Sequence, residues 1–117
     1  MEVKRGDLIA IALQGDYGKP RPALVMQDDA FAALASVSVL RLTSELRDWP
    51  LFRITVEPDP SNGLQKTSQV MIDKPAAVPK TKIGQRIGHL DEASMQAVSV
   101  AFGRFHGLKG ANEAEAR

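Results

Sequence analysis

Arg21 is the residue best placed to do chemistry, because proline flanks it on both sides in the stretch GDYGKPRPALV, residues 15–25. Proline fixes its own φ angle and restricts the residue before it, so the arginine begins with few backbone states. A guanidinium presented in this way suits the recognition of a phosphate group. An arginine that pairs with Asp16 or Asp73 and merely holds the loop is an equally good interpretation.

Two hydroxyl side chains and one carboxylate are further candidates for the same chemistry. Thr43 and Ser44 stand where an alternating apolar segment gives way to a polar one, and their hydroxyl groups are able to contact a phosphate or a ribose. Asp73 is able to bind a base edge or to orient Arg21. Each also has an ordinary structural role, because threonine favours strands, and serine and aspartate favour turns. Residue type and spacing alone leave both possibilities open.

Most known catalytic signatures are missing from the sequence. There is no phosphate-binding Walker loop, no dinucleotide-binding glycine fingerprint, no HExxH zinc motif and no GxSxG nucleophile elbow. The two histidines, His89 and His106, stand apart and lack the spacing of metal ligands. Because the chain has no cysteine, disulfides, thiolate chemistry and cysteine-bound zinc are excluded. We therefore predict a site without a metal ion or a cofactor.

The composition is that of one small domain with a continuous apolar core. The chain has 117 residues, of which 44% are hydrophobic, and its formal net charge is +1 from 15 basic and 14 acidic residues. This balance gives no global signature of nucleic-acid binding, but it leaves room for a local basic groove. No segment reaches the roughly 20 apolar residues of a membrane span. We expect a cytoplasmic protein.

Short runs of residues, either alternating between apolar and polar or continuously apolar, stand between turn-forming residues. This pattern predicts a chain made mainly of strands. The predicted strands are 7–13, 23–27, 36–44, 51–57, 67–73 and 82–88. Pro22 is expected at the start of the second strand, and Lys74 with Pro75 is expected to end the fifth, because proline cannot donate to a strand ladder. Alternation in the third strand gives one face to Val37, Val39, Arg41 and Thr43.

Helical spacing dominates the last third of the sequence. Asp91 is a good N-cap residue, and Gly107 is well suited to follow the last turn. Between them, one apolar stripe is formed by Met95, Val98, Phe102 and Phe105. Residues 28–34 are expected to form one helical turn, and residues 109–117 a flexible tail. The sum is a mainly β barrel or strongly bent sheet with one C-terminal α-helix.

The order of these segments resembles the MazF/PemK family of bacterial toxins, within the wider CcdB/MazF-like fold. The resemblance covers residues 3–108, and its most specific pieces are RGD opening the first strand, RPALV opening the second and LTS closing the third. It implies a single MazF/PemK-like domain over residues 1–108, built as a small SH3-like barrel with a C-terminal helix. It also implies a homodimer.

The same resemblance implies the activity of a type II toxin–antitoxin toxin. Such a toxin is a metal-independent, sequence-specific endoribonuclease that cuts single-stranded RNA, often mRNA, in the bacterial cytoplasm. The 2′-hydroxyl acts as nucleophile, and the products carry a 2′,3′-cyclic phosphate and a 5′-hydroxyl. A cognate antitoxin covers the RNA groove with an acidic segment.

Site residues follow from the resemblance position by position. Arg21 matches the arginine that is assigned to catalysis, Thr43 matches its usual partner, and Ser44 lies beside it. The residues expected to contact RNA are Asp16, Tyr17, Lys19, Trp49, Gln69 and Asp73. The chain departs from some relatives in two ways, since Met71 replaces an arginine and the first loop, QGDYGK, has no histidine.

Two other functions are compatible with the same fold. A CcdB-like gyrase poison without nuclease activity would need a tryptophan near the C-terminal end, whereas the one tryptophan of this chain is Trp49. A non-catalytic SH3-like binding module would need several aromatic residues in a peptide groove. The chain has one tyrosine, one tryptophan and four phenylalanines. Both alternatives rank below the nuclease.

Overall fold

The computed structural model describes residues 2–12 and 19–108, and the described chain is mainly β with one C-terminal helix, as predicted. The elements are β1 (Asp7–Ile11), β2 (Arg21–Val25), β3 (Ser36–Thr43), β4 (Arg53–Val56), β5 (Ser68–Pro79), β6 (Ile83–His89) and α1 (Glu92–Phe105). A short helical turn at Asp29–Phe31 confirms the one expected between the second and third strands, and another follows β5 at Lys80–Lys82. The predicted tail, residues 109–117, lies outside the described residues.

The six strands form one antiparallel sheet with the order β4-β5-β3-β2-β1-β6. The two outer strands of this order, β4 and β6, are connected through the turn that follows β4. In that contact the backbone N–H of His89 donates to the carbonyl oxygen of Ser61 at 3.0 Å. The two ends of the sheet therefore meet, which is the closure that a small barrel requires.

Two glycines make this closure possible. Gly63 has a φ of +67°, and a Cβ atom there would lie 2.3 Å from the carbonyl oxygen of Ile87. A Cβ atom at Gly88 would lie 2.4 Å from the carbonyl oxygen of Ser61. Since backbone atoms cannot yield at such distances, only glycine allows the turn after β4 to pack on β6.

The strands alternate, and each sheet face buries its own apolar cluster. The first cluster packs beneath α1 and includes Leu8, Leu24, Leu40, Leu42, Val56, Val70, Ile72, Leu90, Val98 and Ala101. The second cluster covers the opposite face and consists of Val3, Ile9, Ile11, Ala23, Val25, Val37, Val39 and Val78. The face predicted for Val37 and Val39 is confirmed, and Arg41 and Thr43 extend it beyond the apolar cluster.

β2 begins at Arg21, two residues earlier than predicted, so that Pro22 lies inside the strand. Met26 N–H donates to the Ser38 carbonyl oxygen of β3 at 3.0 Å, and alternate amides of a strand point to the same neighbour. The missing N–H of Pro22 therefore falls on the side of β3. Pairing between β2 and β3 accordingly begins only at Ala23, and Pro22 leaves a gap between the strand ends.

β5 was expected to end at Lys74 and Pro75, but it continues to Pro79. Pairing of β5 with β4 stops at Met71. Beyond this residue β5 pairs with β3 on one side, and its other side is open. Lys80 N–H donates to the Ala35 carbonyl oxygen, and the alternating amides place Pro75 and Pro79 toward the open side. Proline is tolerated there because no ladder bond is lost. Asp73 therefore lies within a strand, and not at its end.

The helix α1 begins and ends as predicted. The Asp91 carboxylate accepts a hydrogen bond from Ser94 N–H at 2.6 Å, and Gly107 follows the helix with a φ of +66°. The predicted apolar stripe is buried at Val98, but Phe105 is 48% exposed and lies outside the first cluster. No helix in residues 2–12 and 19–108 is long and apolar enough to cross a membrane.

Replacing Asp91 with alanine is expected to lower the unfolding temperature, because the first turn of α1 loses its cap. Hydrogen bonds from Ser94 hold the pKa of the Asp91 carboxyl below its ordinary value. The stabilisation is thus present above the ordinary carboxyl pKa and is lost as the pH falls through the lowered value. Thermal unfolding at pH 7 and pH 2.5 tests this. A difference between wild type and Asp91→Ala that is as large at pH 2.5 as at pH 7 contradicts it.

Candidate active site

A row of polar side chains crosses four strands where the second cluster ends. Thr43 of β3 and Thr55 of β4 both lie opposite Gln69 of β5. The register of β2 and β3, continued two residues beyond their last pair, sets Arg21 opposite Thr43. Strand alternation gives these four side chains the same face. The row therefore starts at Arg21, at the gap that Pro22 opens.

The guanidinium of Arg21 is exposed at this gap. Within residues 2–12 and 19–108, no hydrogen bond or ion pair engages it. The possible structural pairing with Asp73 is not formed, since the nearest cation of that carboxylate is Lys74, with Oδ2 and Nζ 3.5 Å apart. The other partner considered, Asp16, lies outside the described residues. Arg21 therefore extends from a stiff backbone into solvent.

The hydroxyl of Thr43 is oriented by its own chain. Its Oγ1 accepts a hydrogen bond from Glu45 N–H at 3.0 Å. A hydroxyl that accepts in this way keeps its O–H available as a donor and has a second lone pair. Ser44 is exposed directly beside it. The end of β3 therefore carries a hydroxyl on the same face as Arg21, at Thr43, and is followed by a second, exposed hydroxyl at Ser44.

Gln69 was predicted to contact RNA, but its side chain is only 6% exposed. Its Oε1 accepts from Arg47 N–H at 3.0 Å, and its Nε2 donates to the Arg47 carbonyl oxygen at 3.0 Å and to Thr55 Oγ1 at 3.2 Å. Both amide atoms are thus used within the chain. Gln69 fixes the segment 44–51 against the sheet, and this segment carries Trp49.

Trp49 is 43% exposed and makes three ring contacts within the chain. Its ring stacks on Phe52 with centroids 5.4 Å apart. The guanidinium carbons of Arg53 and Arg47 lie 5.0 Å and 5.7 Å from the indole centroid. Cation–π attraction holds such groups together. These contacts join segment 44–51, through Trp49, to the start of β4.

Arg53 and Asp73 contribute buried polar atoms to the same face. Arg53 lies opposite Met71, so Arg53 and Asp73 are diagonal neighbours across the β4–β5 pair. Arg53 Nε, Arg53 Nη1 and Asp73 Oδ1 are buried and have no hydrogen-bond partner within the described residues. Asp73 was predicted as a site residue, but Arg53 was not. The alternation of Phe52, Ile54 and Val56 in the sequence already assigns Arg53 to the sheet face opposite to these three side chains.

The chain matches the family model described as PemK-like, MazF-like toxin of type II toxin-antitoxin system over residues 4–106. The chain belongs to this toxin family. One relative of the toxin, the "Probable endoribonuclease MazF" of Mycolicibacterium smegmatis (strain ATCC 700084 / mc(2)155), is 44% identical over 109 residues, which is 92% of this chain and 100% of the relative. Family membership selects the MazF-like branch over the CcdB-like alternative.

Solved structures place the toxin in the same fold. "Mycobacterium tuberculosis toxin MazF-mt6" has a TM-score of 0.73 and 26% identity, and covers 91% of this chain and 100% of that chain. "Endoribonuclease in complex with its cognate antitoxin from Mycobacterial species" has a TM-score of 0.76 and 25% identity, and covers 93% of this chain and 99% of that chain. The MazF-like fold expected from the sequence is thus confirmed.

The predicted site residues of the toxin have different places in the fold. Arg21, Thr43, Ser44 and Asp73 lie at the polar end of one sheet face, and Lys19 is exposed two residues before Arg21. Asp16 and Tyr17 lie outside the described residues. Arg41, which lies opposite Ala23 on the same face, and Arg53 were not predicted as site residues. Strand alternation was the sequence signal that could have identified both.

Proposed function

We propose that this toxin is a metal-independent, sequence-specific endoribonuclease that cleaves single-stranded RNA. The observation that carries the proposal is the exposed Arg21 at the start of β2, which the β2–β3 register, continued past Ala23, sets on the same sheet face as Thr43. A phosphodiester that enters the gap made by Pro22 meets a cation and two hydroxyl groups. The name of the 44% identical relative supports the same activity.

Arg21 stabilises the transition state of the cleavage. The 2′-oxygen attacks the adjacent phosphorus, the bond from phosphorus to the 5′-oxygen breaks, and negative charge grows on the phosphorane oxygens. A preorganised guanidinium stabilises this charge without reorganisation. Because a guanidinium stays protonated in proteins, Arg21 acts as an electrostatic group, and not as the general base. The products are a 2′,3′-cyclic phosphate and a 5′-hydroxyl.

Thr43 and Ser44 position the reacting groups. The Thr43 O–H is available to donate to a phosphate oxygen or to the 2′-oxygen, and its orientation is set by Glu45 N–H. Such alignment accelerates an intramolecular attack because the reacting atoms are already close. We propose that Asp73, Trp49 and Lys19 extend the site along the RNA. Asp16 and Tyr17, which lie outside the described residues, are the remaining proposed RNA contacts.

The partners we propose are a cognate acidic antitoxin and a second copy of the chain. The mycobacterial endoribonuclease that shares the fold was solved with its cognate antitoxin, and an acidic segment suits a face that carries Arg21, Arg41 and Arg53. Large exposed apolar side chains favour a homodimer; they include Leu46, Leu51, Phe105 and Leu108. Because bacterial mRNA is in the cytoplasm, a toxin that cleaves mRNA acts there.

Purified toxin is expected to cleave a mixed single-stranded RNA in the presence of EDTA, because the site acts through arginine and hydroxyl groups. Sequencing of the new ends, after enzymatic tests for cyclic phosphate and 5′-hydroxyl, measures both the cut sites and the chemistry. An RNA with 2′-deoxyribose at the preferred site is the control and should stay intact. Loss of cleavage in EDTA with recovery on adding Mg²⁺ would contradict the proposal.

A further inference from the structure

We propose that Gln69 is a positioning residue for the cleavage reaction, because it holds segment 44–51 and thereby fixes the orientation of the Thr43 hydroxyl. This inference rests on the proposed endoribonuclease function and adds a residue that acts without touching the RNA. The contacts that carry it run from Gln69 to the backbone of Arg47, and from the backbone of Glu45 to Thr43.

The position of Gln69 follows from the topology of the sheet. β5 lies between β3 and β4, and both of these strands pair with it antiparallel, so they run in the same direction. The chain that connects the end of β3 to the start of β4 therefore crosses β5. Gln69 lies in the middle of this crossing, opposite Thr43 on one side and Thr55 on the other. Its side chain is thus in place to bind the connection.

Gln69 binds the connection as the backbone of a neighbouring strand would. Its Oε1 accepts from Arg47 N–H at 3.0 Å, and its Nε2 donates to the carbonyl oxygen of the same residue at 3.0 Å. We call these two hydrogen bonds the Gln69 clamp. The other Nε2 hydrogen is donated to Thr55 Oγ1 at 3.2 Å. Because a side-chain amide has two N–H donors, both donors of Gln69 are used within the chain, and none is left for RNA.

The connection gains little from burial. Residues 44–50 are all exposed, so packing in the core does not fix their backbone. The far end of the connection is held separately, because the Trp49 ring stacks on Phe52. At the near end, where the chain leaves β3, the Gln69 clamp binds the chain to the sheet.

The clamp acts on Thr43 through the backbone of Glu45, which lies between Thr43 and Arg47 in the chain. Glu45 N–H donates to Thr43 Oγ1 at 3.0 Å, which sets the orientation of the hydroxyl and leaves its hydrogen available for a ligand. When Arg47 is no longer held, Glu45 N–H moves and Thr43 loses this bond. A misplacement of about 1 Å in a positioning group costs about 100-fold in rate. The clamp therefore affects cleavage through Thr43.

The test is a double-mutant cycle between Gln69→Leu and Thr43→Val. An apolar side chain suits the buried position of Gln69, and the released backbone groups of Arg47 are exposed to water. Gln69→Leu is expected to slow single-turnover cleavage at saturating RNA by about 10- to 100-fold. In the Thr43→Val background, the same change should slow cleavage by less than about twofold, because the hydroxyl that the clamp positions is absent.

Arg47→Ala is the matched control. It removes the side chain of Arg47 but keeps the N–H and carbonyl groups that the Gln69 clamp engages. The exposed ion pair with Glu45 is also lost, but such pairs contribute little. The rate at saturating RNA should therefore stay within about twofold of wild type. A loss as large as that of Gln69→Leu would assign the effect to the guanidinium and overturn the inference.

Amide hydrogen exchange tests the clamp without catalysis. In wild type, the Arg47 amide should exchange at least about tenfold more slowly than those of Leu46 and Asp48, although all three residues are exposed. Gln69→Leu should remove this protection and speed exchange at Glu45, while Arg47→Ala should keep it. Because the wild-type comparison needs no variant, it remains decisive if Gln69→Leu does not fold. Equal exchange at the three amides of wild type overturns the clamp.

Equal rate losses from Gln69→Leu in the wild-type and Thr43→Val backgrounds also overturn the inference. A residue that only stabilises the fold lowers activity whether or not Thr43 has its hydroxyl, so the cycle separates the two roles. These outcomes leave the nuclease proposal intact. If wild type does not cleave RNA, the proposed function fails instead, and the exchange measurement decides the clamp by itself.

Discussion

Replacing Arg21 with alanine is expected to slow RNA cleavage by about 100- to 1,000-fold, the usual cost of removing one group that stabilises transition-state charge. The fold should persist, because the guanidinium is exposed and engages no partner within the described residues. Single-turnover cleavage of one RNA carrying the preferred site measures the effect. Circular dichroism and thermal unfolding of the same sample establish that the variant is folded.

Two further variants sharpen the test of Arg21. Arg21→Lys keeps the charge but loses the planar fork that matches phosphate oxygens, so its rate should lie between those of wild type and Arg21→Ala. Arg104→Ala removes an exposed cation from the last turn of α1 and should leave the rate unchanged. If the cleavage rate of Arg21→Ala is within threefold of the wild-type rate, Arg21 does not stabilise the transition state as proposed.

Gly63→Ala is expected to destabilise the fold by about 3 kcal/mol, because two costs add. An L-residue at the observed φ of +67° costs about 1–2 kcal/mol, and overpacking typically costs about 1–3 kcal/mol. The overpacking arises because the new Cβ atom would lie 2.3 Å from the Ile87 carbonyl oxygen. Urea unfolding measures the loss as a lower midpoint at an unchanged slope.

Gly107→Ala is the matched control for Gly63→Ala. Its φ of +66° is nearly the same, but a Cβ atom there meets nothing within 4 Å. The control therefore has only the conformational cost, about 1–2 kcal/mol. The difference between the two variants isolates the contact that joins the turn after β4 to β6. Equal losses in both would mean that this close approach does not hold the sheet closed.

The faces of the strands were predictable from sequence, but their neighbours were not. Alternation alone gave Val37, Val39, Arg41 and Thr43 a common face, because the period of two is a local property of the chain. Which strand lies beside which depends on long-range pairing. Alternation was able to assign Arg53 to a face of β4, but its position opposite Met71 of β5 followed only from the strand pairing.

The prolines, in contrast, led to wrong predictions of where two strands begin and end. Pro22 and Pro75 were used as strand boundaries, yet both lie inside strands. A missing N–H ends pairing on one side only, and sequence does not tell which side faces a neighbour. Gln69 illustrates a similar limit, because the family resemblance implied that it contacts RNA. Its place between Thr43 and Thr55 in the middle of the sheet instead buries it and directs its amide to Arg47.

The position of α1 has a consequence for the order of events during synthesis. This helix follows all six strands in the chain, and its Val98 and Ala101 complete the first apolar cluster. While the ribosome is still making residues 92–105, that face of the sheet has no cover and the strands lack much of their packing. The polar row at Arg21 belongs to the same sheet, so we expect its rigidity to depend on a helix that is synthesised after all six strands.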